Sequence, residues 1–582
     1  MAKKKYTGKT RKPATTVNKP ARSVYDYRGF KSRATGKLIG SFIVLSLLFF
    51  ISLFKNISYP LFWADESMTA IGTERVLRFG YPKVHDGKNV FYDLRHSNPR
   101  LGINESDDAY VGGTGWGHYY FGVIGYKLAE STRNLYLKTA LYRITFACAG
   151  LFGLFLLGFF ISKFFFDRFS KYAFLTFFVL LELLSVSLVL LLREVRYYSP
   201  TLLLLSLIIA SYCAYRFHKP FNKVLFVTIQ SISLWLLFNT FAPAYFIVIV
   251  SIGLSELIVA VRSYLKTSLR AAIYGGLPTI IPLVISLIGV FPLFHYFKTF
   301  EISRAMSEFN GFTREMYWAN VSTVFNYFKN FELLWLAITL RILLWLNGKK
   351  FLKSENRLFQ VSNFLTLFFV VYLLSIATIP NFIYTRYIIY LQPFLSIIIV
   401  LDFFMLLKLH SASSQKFLPL KMIFPILVFI ALFTYTFLTN LSNITGHLYE
   451  LSHQYKGPLD YTIPHIKEKY PRTDALTIAA NYEETSYMYY LKSKVIIGFI
   501  GNNLAEDSVI QPQIIAYRKP WGNYTSIFNR YLQNETFRSS TFPVKDNPTN
   551  NIPELNFVPA FNHQFRTPEP ENPGDSTQLF YK

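Results

Sequence analysis

Charged residues are scarce in this sequence. Only 16% of its 582 residues are Asp, Glu, Lys or Arg, whereas a soluble protein carries about a quarter. Hydrophobic residues make up 52% and aromatic residues 18%, and the apolar residues form long uninterrupted runs. Such runs are typical of segments that cross a bilayer. The composition excludes an ordinary soluble protein and predicts a polytopic membrane protein.

Cysteine is also nearly absent. The two cysteines, Cys148 and Cys213, each lie inside an apolar run. They are predicted to be small core residues, and a disulfide framework is excluded. The sequence has no CxxC or HExxH pattern and no other strong metal-ligand spacing. Carboxylates of the first outer loop would permit a divalent metal ion without requiring one, so no cofactor is predicted with certainty.

Acidic residues are few compared with basic ones. There are 34 of the former and 60 of the latter, which gives a net charge of +26. Residues 1–37 hold twelve Lys and Arg against the single acid Asp26, and they are predicted to form a disordered, basic, cytoplasmic tail. A tail that adjoins a membrane span is expected to contact anionic lipid, so no nucleic-acid partner is predicted.

Eleven apolar runs are predicted to span the membrane. The first, Leu38–Phe54, has no small-residue cleavage site and follows a long basic region, which indicates an uncleaved anchor. The other ten are Thr139–Ile161, Tyr172–Leu192, Pro200–Tyr215, Lys223–Leu237, Ala242–Val261, Ala272–Phe294, Leu333–Leu346, Leu358–Ile379, Ile388–Leu407 and Met422–Thr439.

The loops between these runs alternate in charge. Lys and Arg collect in every second loop, on the side of the basic tail, so the N-terminus is predicted to be cytoplasmic. The segments 55–138, 295–332 and 441–582 then lie outside, together with two short turns. An odd number of spans places the C-terminus outside as well. The predicted location is the cell (inner or plasma) membrane.

The outer loop 55–138 is predicted to carry two interfacial helices. In Phe62–Pro82 apolar residues recur at helical spacing, Gly80 ends the helix, and the segment is too short to cross a bilayer. It is interpreted as an amphipathic helix lying on the membrane, with Asp65 and Glu66 at its N-terminal end. Asp65 could simply cap this helix, since Asp is a favoured N-cap. A second helix begins near Trp116, after a glycine-rich segment that is interpreted as a flexible hinge.

The exported segment is predicted to form a small domain. Ala475–Ala480 and Val495–Ile500 are typical of buried strands, and they flank the helix-like Glu483–Leu491. The predicted fold is an all-α polytopic membrane domain of about eleven transmembrane helices with a large first outer loop, followed by a small C-terminal α/β extracytoplasmic domain. The predicted parts are residues 1–37 (tail), 38–440 (membrane domain) and 441–582 (α/β domain with an irregular end).

Several charged residues stand at span ends that are predicted to face the same outer surface. They are Asp65, Glu66, Arg193, Glu194, Arg196, His295, Lys298 and Arg386. Each basic residue alone could be explained by a side chain that reaches to the headgroups. Together they could form a pocket for a lipid-linked phosphate, because arginine binds phosphate bidentately and stabilises charge that develops on it. One base to deprotonate an acceptor hydroxyl would then be enough.

Three short motifs contain most of these charged residues, and their order along the chain is informative. Asp65-Glu66 follows the first span, the segment 193–198 (REVRYY) opens the fourth, and Arg386-Tyr387 precedes the tenth. In these motifs, and over most of its length, the chain resembles the polyprenyl-phosphate-sugar-dependent membrane glycosyltransferases of the GT-C class (glycosyltransferase family 39 type). That class includes the protein O-mannosyltransferases and the lipid A aminoarabinose transferases.

The resemblance implies an inverting glycosyltransferase that moves a hexosyl or pentosyl group from a polyprenyl-phosphate donor to a hydroxyl of an envelope glycan, lipid or protein. It implies catalytic roles for the pair Asp65 and Glu66, with Asp65 as the base. Since adjacent helical residues point in different directions, only one of the two is expected to face the reaction centre. The donor phosphate and substrate would be bound by Arg196, Tyr197, Arg386, Tyr387 and His118.

The chain departs from the family pattern at two positions. A Pro-rich element that often contains Lys is replaced by Gly115–Tyr119, so that His118 is a suggested substitute for its phosphate contact. An Arg that follows the acidic pair in some members is absent, since this chain has Ser67-Met68-Thr69 there.

Two other functions stay open. A transporter or flippase of a lipid-linked saccharide would need related halves and charged residues near mid-membrane. Most predicted spans have no ionisable residue at their centre, with Glu182 and Glu256 as exceptions. In a non-catalytic assembly protein, Asp65 would only cap its helix. The sequence does not specify the sugar or the acceptor.

Overall fold

A computed structural model describes most of the chain. The described residues are 27–91, 102–112, 115–218, 222–266, 268–347, 356–379, 383–412, 456–499, 505–519, 524–534, 536–546 and 569–582, with isolated positions between 427 and 454. Residues 1–26 of the predicted tail lie outside this set, and the first helix already begins at Tyr27.

Fourteen α-helices precede residue 413 in the described part of the chain. They are α1 (Tyr27–Phe54), α2 (Ala64–Phe79), α3 (Gly117–Ala129), α4 (Leu135–Ser162), α5 (Arg168–Leu184), α6 (Val186–Leu192), α7 (Tyr198–Phe217), α8 (Lys223–Lys266), α9 (Leu269–Tyr296), α10 (Thr299–Phe309), α11 (Arg314–Phe331), α12 (Leu334–Asn347), α13 (Asn356–Ile376) and α14 (Gln392–Ala412). Two strands, β1 (Ile103–Asn104) and β2 (Ala109–Tyr110), pair antiparallel in the first outer loop.

Seven helices of the described residues are long and apolar enough to cross a membrane. They lie in α1, α4, α7, α8, α9, α13 and α14, and two shorter apolar helices, Leu334–Leu346 and Ile430–Thr439, also occur. The predicted number of eleven spans is not confirmed. Two predicted spans are merged in α8 across a kink at Phe241, just before Pro243, and one is divided between α5 and α6 at Ser185. Much of Met422–Thr439 lies outside the described residues.

Helix α14 lies inside the bundle, and its residues 392–406 are all buried. Helix α14 contacts α5, α12 and α13, while α4 packs along α7 and α7 along α8. Glycine allows the close approach of α4 and α7, because a Cβ atom at Gly153 would lie 2.9 Å from Leu203 Cα. Small residues at helix contacts are the usual means by which membrane helices approach closely.

The C-terminal part is a small α/β domain. Its helices are α15 (Pro458–Lys469), α16 (Glu484–Leu491) and α17 (Thr525–Asn534), and its strands are β3 (Thr477–Ala480), β4 (Lys494–Ile497), β5 (Ile514–Ala516), β6 (Arg538–Lys545) and β7 (Ser576–Tyr581). The strand order is β4-β3-β5-β7-β6; the first three strands are parallel, and β7 is antiparallel to both of its neighbours. The predicted fold class, a helical membrane domain followed by an α/β domain, is confirmed.

Helix α2 connects the two parts of the molecule. It ends as predicted at Gly80, which has a left-handed φ of 84° and donates its N–H to the Val76 carbonyl. Its polar side does not face water, however. Ser67 Oγ lies 2.7 Å from Thr485 Oγ1 and accepts from Ser486 Oγ at 2.9 Å, so α16 covers this side. The amphipathic pattern of α2 therefore reflects packing between α3 and the C-terminal domain.

Candidate active site

Asp65 lies in the first turn of α2, between two arginines. Its Oδ2 atom is 3.4 Å from Arg196 Nη2 and 3.3 Å from Arg386 Nη1. The Asp65 side chain is 24% exposed, against 10% and 12% for the two arginines. The N-cap of α2 is Trp63, so the interpretation of Asp65 as the N-cap is wrong. The carboxylate is instead the most accessible group of a charged cluster.

Both arginines are held by further contacts. Arg196, in the turn between α6 and α7, donates from Nη1 to the Asp65 carbonyl at 3.2 Å and to Thr69 Oγ1 at 3.4 Å. Arg386 belongs to the 3₁₀ turn Thr385–Tyr387, and its guanidinium lies 4.1 Å from the ring centre of Tyr384 and 5.8 Å from that of Trp63. These cation–π contacts fix the direction of the side chain.

Glu66 points to different partners. It is completely buried, and its two oxygens accept from Arg143 Nε at 2.8 Å and from Arg143 Nη2 at 2.5 Å. Arg143 also donates to the carbonyls of Ile57 and Pro60, and Glu66 Oε1 accepts the Val195 N–H at 3.1 Å. Glu66 thus joins α2 to α4 and to the turn that carries Arg196, and this geometry favours a positioning role over the predicted catalytic one.

His118 is the second residue of α3 and is fully buried. Its ring lies 4.0 Å from the ring of Tyr119 and 6.1 Å from that of Tyr197. Burial and the charge of Arg196 lower the pKa of His118 well below its ordinary value. Both effects favour the neutral imidazole form of His118. A neutral ring could donate one N–H to a ligand, but it would supply no positive charge to a phosphate.

Tyr197 and Tyr387 line an aromatic layer next to the arginines. Tyr197 stacks on Phe241 with ring centres 4.8 Å apart and planes at 16°, and Tyr387 stacks on the same ring at 6.3 Å. Phe241 is the residue at the kink of α8. The structure therefore gathers Asp65 and the five predicted binding residues, which come from four separate segments of the chain, around one region.

The C-terminal domain reaches the same region through the segment that follows β3. Tyr482 is nearly buried, and burial together with the carboxylates of Glu483 and Asp65 raises its pKa well above the ordinary value. Arg518, which follows β5, is buried and pairs with Glu483 and Asp546. Both segments lie at the carboxyl ends of parallel strands, the edge at which open α/β sheets bind ligands.

Two charged residues near Asp65 were missed or not assigned a role from the sequence. Arg143 lies inside a predicted span, and an ionisable residue there is itself a signal of function. Glu194 is fully buried, and its carboxylate oxygens have no hydrogen-bond partner among the described residues. Burial and the neighbouring Glu66 raise the pKa of Glu194 well above its ordinary value. Both effects favour the protonated, uncharged form of Glu194.

The glycine-rich segment before α3 is closely packed at its described residues. A Cβ atom at Gly115 would lie 2.2 Å from Asn239 O, and one at Gly117 would lie 2.4 Å from Thr240 Oγ1. These glycines are needed for the approach of α3 to the kink of α8, so the interpretation as a flexible hinge is wrong for them. Residues 113 and 114 lie outside the described set.

No group of three His, Cys, Asp or Glu side chains that could hold a metal ion occurs among the residues for which the structure gives positions. Carboxylates of the first outer loop have other partners there. Asp86 Oδ2 lies 3.1 Å from Arg75 Nη2, and Asp108 accepts the His85 N–H at 2.9 Å.

Comparison with known proteins finds similarity only at the level of structure. No family model matches the sequence, and no curated protein matches it. The crystal structure of ArnT from Cupriavidus metallidurans bound to undecaprenyl phosphate is similar over 87% of this chain and 96% of that chain, with 14% identity and a TM-score of 0.49. The apo structure of ArnT from the same organism covers the same shares, with 12% identity and a TM-score of 0.48. The chain is thus similar over most of its length to two solved forms of one protein.

Proposed function

We propose that this protein is an inverting glycosyltransferase that transfers a sugar from a polyprenyl phosphate to a hydroxyl group of an envelope glycan, lipid or protein. The observation that carries the proposal is the Asp65 carboxylate, which is partly open and lies 3.4 Å from Arg196 and 3.3 Å from Arg386. This cluster combines a base for an acceptor with cations for a departing phosphate. Undecaprenyl phosphate, which is bound in one of the two ArnT crystal structures, is itself a polyprenyl phosphate, the class of sugar carrier proposed for this protein.

The proposed reaction uses the carboxylate of Asp65 and the guanidinium groups of the two arginines in different roles. The acceptor hydroxyl attacks the anomeric carbon on the side opposite the phosphate, and its proton passes to Asp65. A C–O bond forms, the bond to the phosphate oxygen breaks, and its electron pair leaves with the polyprenyl phosphate. A guanidinium has five N–H donors, more than one carboxylate oxygen uses, so Arg196 and Arg386 can also bind phosphate oxygens. Displacement from the opposite side inverts the anomeric configuration.

The aromatic layer supports the same proposal. Tyr197, Phe241 and Tyr387 present stacked rings beside the cations. Aromatic and apolar surface of this kind excludes water, which strengthens the interaction of arginine with phosphate. Apolar surface next to the phosphate position also suits a donor that carries an isoprenoid chain.

Two buried acids elsewhere in the helical domain have structural partners, whereas Glu182 is buried and neither of its oxygens has a hydrogen-bond partner among the described residues. Glu256 lies 3.2 Å from Arg216 and accepts from Tyr212 at 2.8 Å, while Asp402 lies 2.8 Å from Arg341 and accepts from Ser362 at 2.7 Å. Each pair joins neighbouring helices. A transport pathway is not needed to explain these two paired acids, which favours the transferase over the transporter.

Arg386→Ala is expected to lower kcat/KM for a polyprenyl-phosphate sugar at least tenfold. Loss of a charge-assisted hydrogen bond to phosphate in a closed site removes about 2–4 kcal/mol of transition-state stabilisation. The thermal unfolding midpoint should change less than turnover does, since Asp65 keeps Arg196 as a partner. Turnover of a defined donor by the purified protein measures the effect.

The matched control is Arg304→Ala. Arg304 forms an exposed pair with Glu308 on α10 and should tolerate the change. Equal turnover by Arg386→Ala and wild type would show that Arg386 only reaches toward the headgroups and takes no part in donor binding.

We propose that the N-terminus is cytoplasmic and that the site and C-terminal domain lie on the outer side of the cell membrane. The alternation of basic loops supports this orientation, and α16 packs on α2, so the domain and Asp65 share one side. Alkaline phosphatase fused to the C-terminus should be active. Activity only from a reporter that requires the cytoplasm would overturn this orientation.

A further inference from the structure

A cavity of about 430 Å³ opens at the end of the helix bundle opposite Asp65. It lies where α4 and α7 end and α5 and α13 begin. The distance to the candidate active site follows from α4, which carries Arg143 near Asp65 and is followed directly by Lys163 in the wall of the cavity. At a rise of about 1.5 Å per residue, these positions are roughly 30 Å apart along the helix.

The cavity is strongly basic. Four of the described residues that line it are cations: Lys163, Arg168, Lys171 and Arg357. The one carboxylate in the lining, Asp167, accepts from the backbone N–H of Ser170 at 3.0 Å and from its hydroxyl at 2.8 Å, so it caps α5. No ion pair joins the four cations to a carboxylate of the described residues. Such a concentration of positive charge in a concave site attracts anions.

An apolar track leads along α4 to this cavity. The rings of Phe152, Phe155 and Phe159 follow one another with centres 6.5 and 5.8 Å apart and nearly parallel planes. Lys163 Nζ lies 4.3 Å from the ring centre of Phe159, where the track meets the cations. In the cavity wall Phe166 is 84% exposed. Exposed aromatic rings beside lysine and arginine are typical of the boundary between acyl chains and headgroups.

We propose that this cavity binds a phosphate group, and that the phosphate is carried by a lipid. Its hydrocarbon chain would lie along the three phenylalanine rings, while its phosphate accepts hydrogen bonds from Lys163, Arg168 and Lys171. A free phosphate would satisfy the cations but would leave the apolar track without a role. The site is distinct from the donor site at Asp65, and it does not depend on the proposed transferase activity.

The test compares two variants of the full chain that lose the same charge. The site variant carries Lys163→Gln, Arg168→Gln and Lys171→Gln. The control variant carries Arg262→Gln, Lys266→Gln and Arg270→Gln, which are exposed residues of another basic loop predicted on the same side. Each purified protein is mixed with phosphatidic acid or with phosphatidylcholine, and bound lipid is measured by native mass spectrometry. Inorganic phosphate is used as a competitor.

Wild type and control variant should each retain one phosphatidic acid, and the site variant should bind it at least about tenfold more weakly, since each lost charge-assisted hydrogen bond is worth about a factor of ten or more. Arg357→Gln, on α13, tests the same cavity from a second helix and should weaken binding in the same direction. Equal losses in site and control variants would overturn the proposal, because the cations would then act only as general surface charge. If the protein bound inorganic phosphate but not phosphatidic acid, the proposal that a lipid carries the bound phosphate group would be overturned.

Discussion

Asp65→Asn is expected to abolish glycosyl transfer while the amount of membrane-inserted protein stays near that of wild type. The change preserves the size of the side chain and one oxygen that can accept from Arg196 and Arg386. It removes the basicity that the acceptor hydroxyl needs, and general-base catalysis contributes about 10²–10⁴-fold. The Asp65 side chain makes no cap hydrogen bond to α2, so the substitution removes no contact with the backbone of that helix. Transfer from a polyprenyl-phosphate sugar and an immunoblot of the membrane fraction measure the two effects.

Asp107→Asn provides the matched control. Asp107 lies in the same outer loop and accepts from the Tyr296 hydroxyl at 3.0 Å, away from the arginine cluster. It should retain transfer. Substantial residual transfer by Asp65→Asn at normal expression would end the assignment of this residue as the base.

Breaking the buried pair of Glu66 and Arg143 is expected to have the largest effect on stability. Arg143→Gln leaves the Glu66 carboxylate buried without its cation, and such changes lower the free energy of unfolding by about 3–5 kcal/mol. It also removes the donors to the Ile57 and Pro60 carbonyls, which shape the entry to α2. Thermal unfolding of the purified protein should show a clearly lower midpoint.

The double variant Glu66→Gln with Arg143→Gln separates a structural role from a chemical one. Two neutral amides can hydrogen-bond without a buried charge, so stability should recover in part relative to Arg143→Gln. Lys127→Gln, at the exposed pair with Glu130, should have almost no effect on the midpoint. Loss of transfer by Glu66→Gln at unchanged stability and normal Asp65 geometry would instead assign Glu66 a direct part in the reaction.

Two features of the candidate site could be predicted from the sequence. They are the helix that carries Asp65 and the meeting of Asp65 with Arg196 and Arg386. Gly80 is a strong helix stop, and α2 ends there. Asp65, Arg196 and Arg386 all stand at the ends of apolar runs, and charges at such ends tend to meet at one membrane face. The role of each residue stays a prediction until it is tested.

Other features depend on contacts that no local pattern encodes. Hydropathy treats α5 and α6 as one run, yet Ser185 interrupts the helix and its hydroxyl donates to Glu332 at 2.7 Å. The pairing of Glu66 with Arg143 joins residues 77 positions apart. Hydrophobicity also cannot tell a polar helix side that faces water from one that faces another domain, which is why the burial of α2 by α16 was not predicted.

The attachment of the C-terminal domain to the Asp65 helix has a consequence for biosynthesis. Asp460 accepts the Leu61 N–H at 3.1 Å, the Tyr490 hydroxyl accepts the Phe62 N–H at 3.0 Å, and Ser486 bonds to Ser67. A ribosome makes residues 458–491 about four hundred residues after α2, once the helices of the membrane domain have been translated. Until residues 458–491 have been made, the Leu61 and Phe62 N–H groups and the Ser67 hydroxyl lack these C-terminal partners. The chain therefore completes the contacts around the start of α2 late in synthesis, and a prematurely terminated copy would occupy the membrane without them.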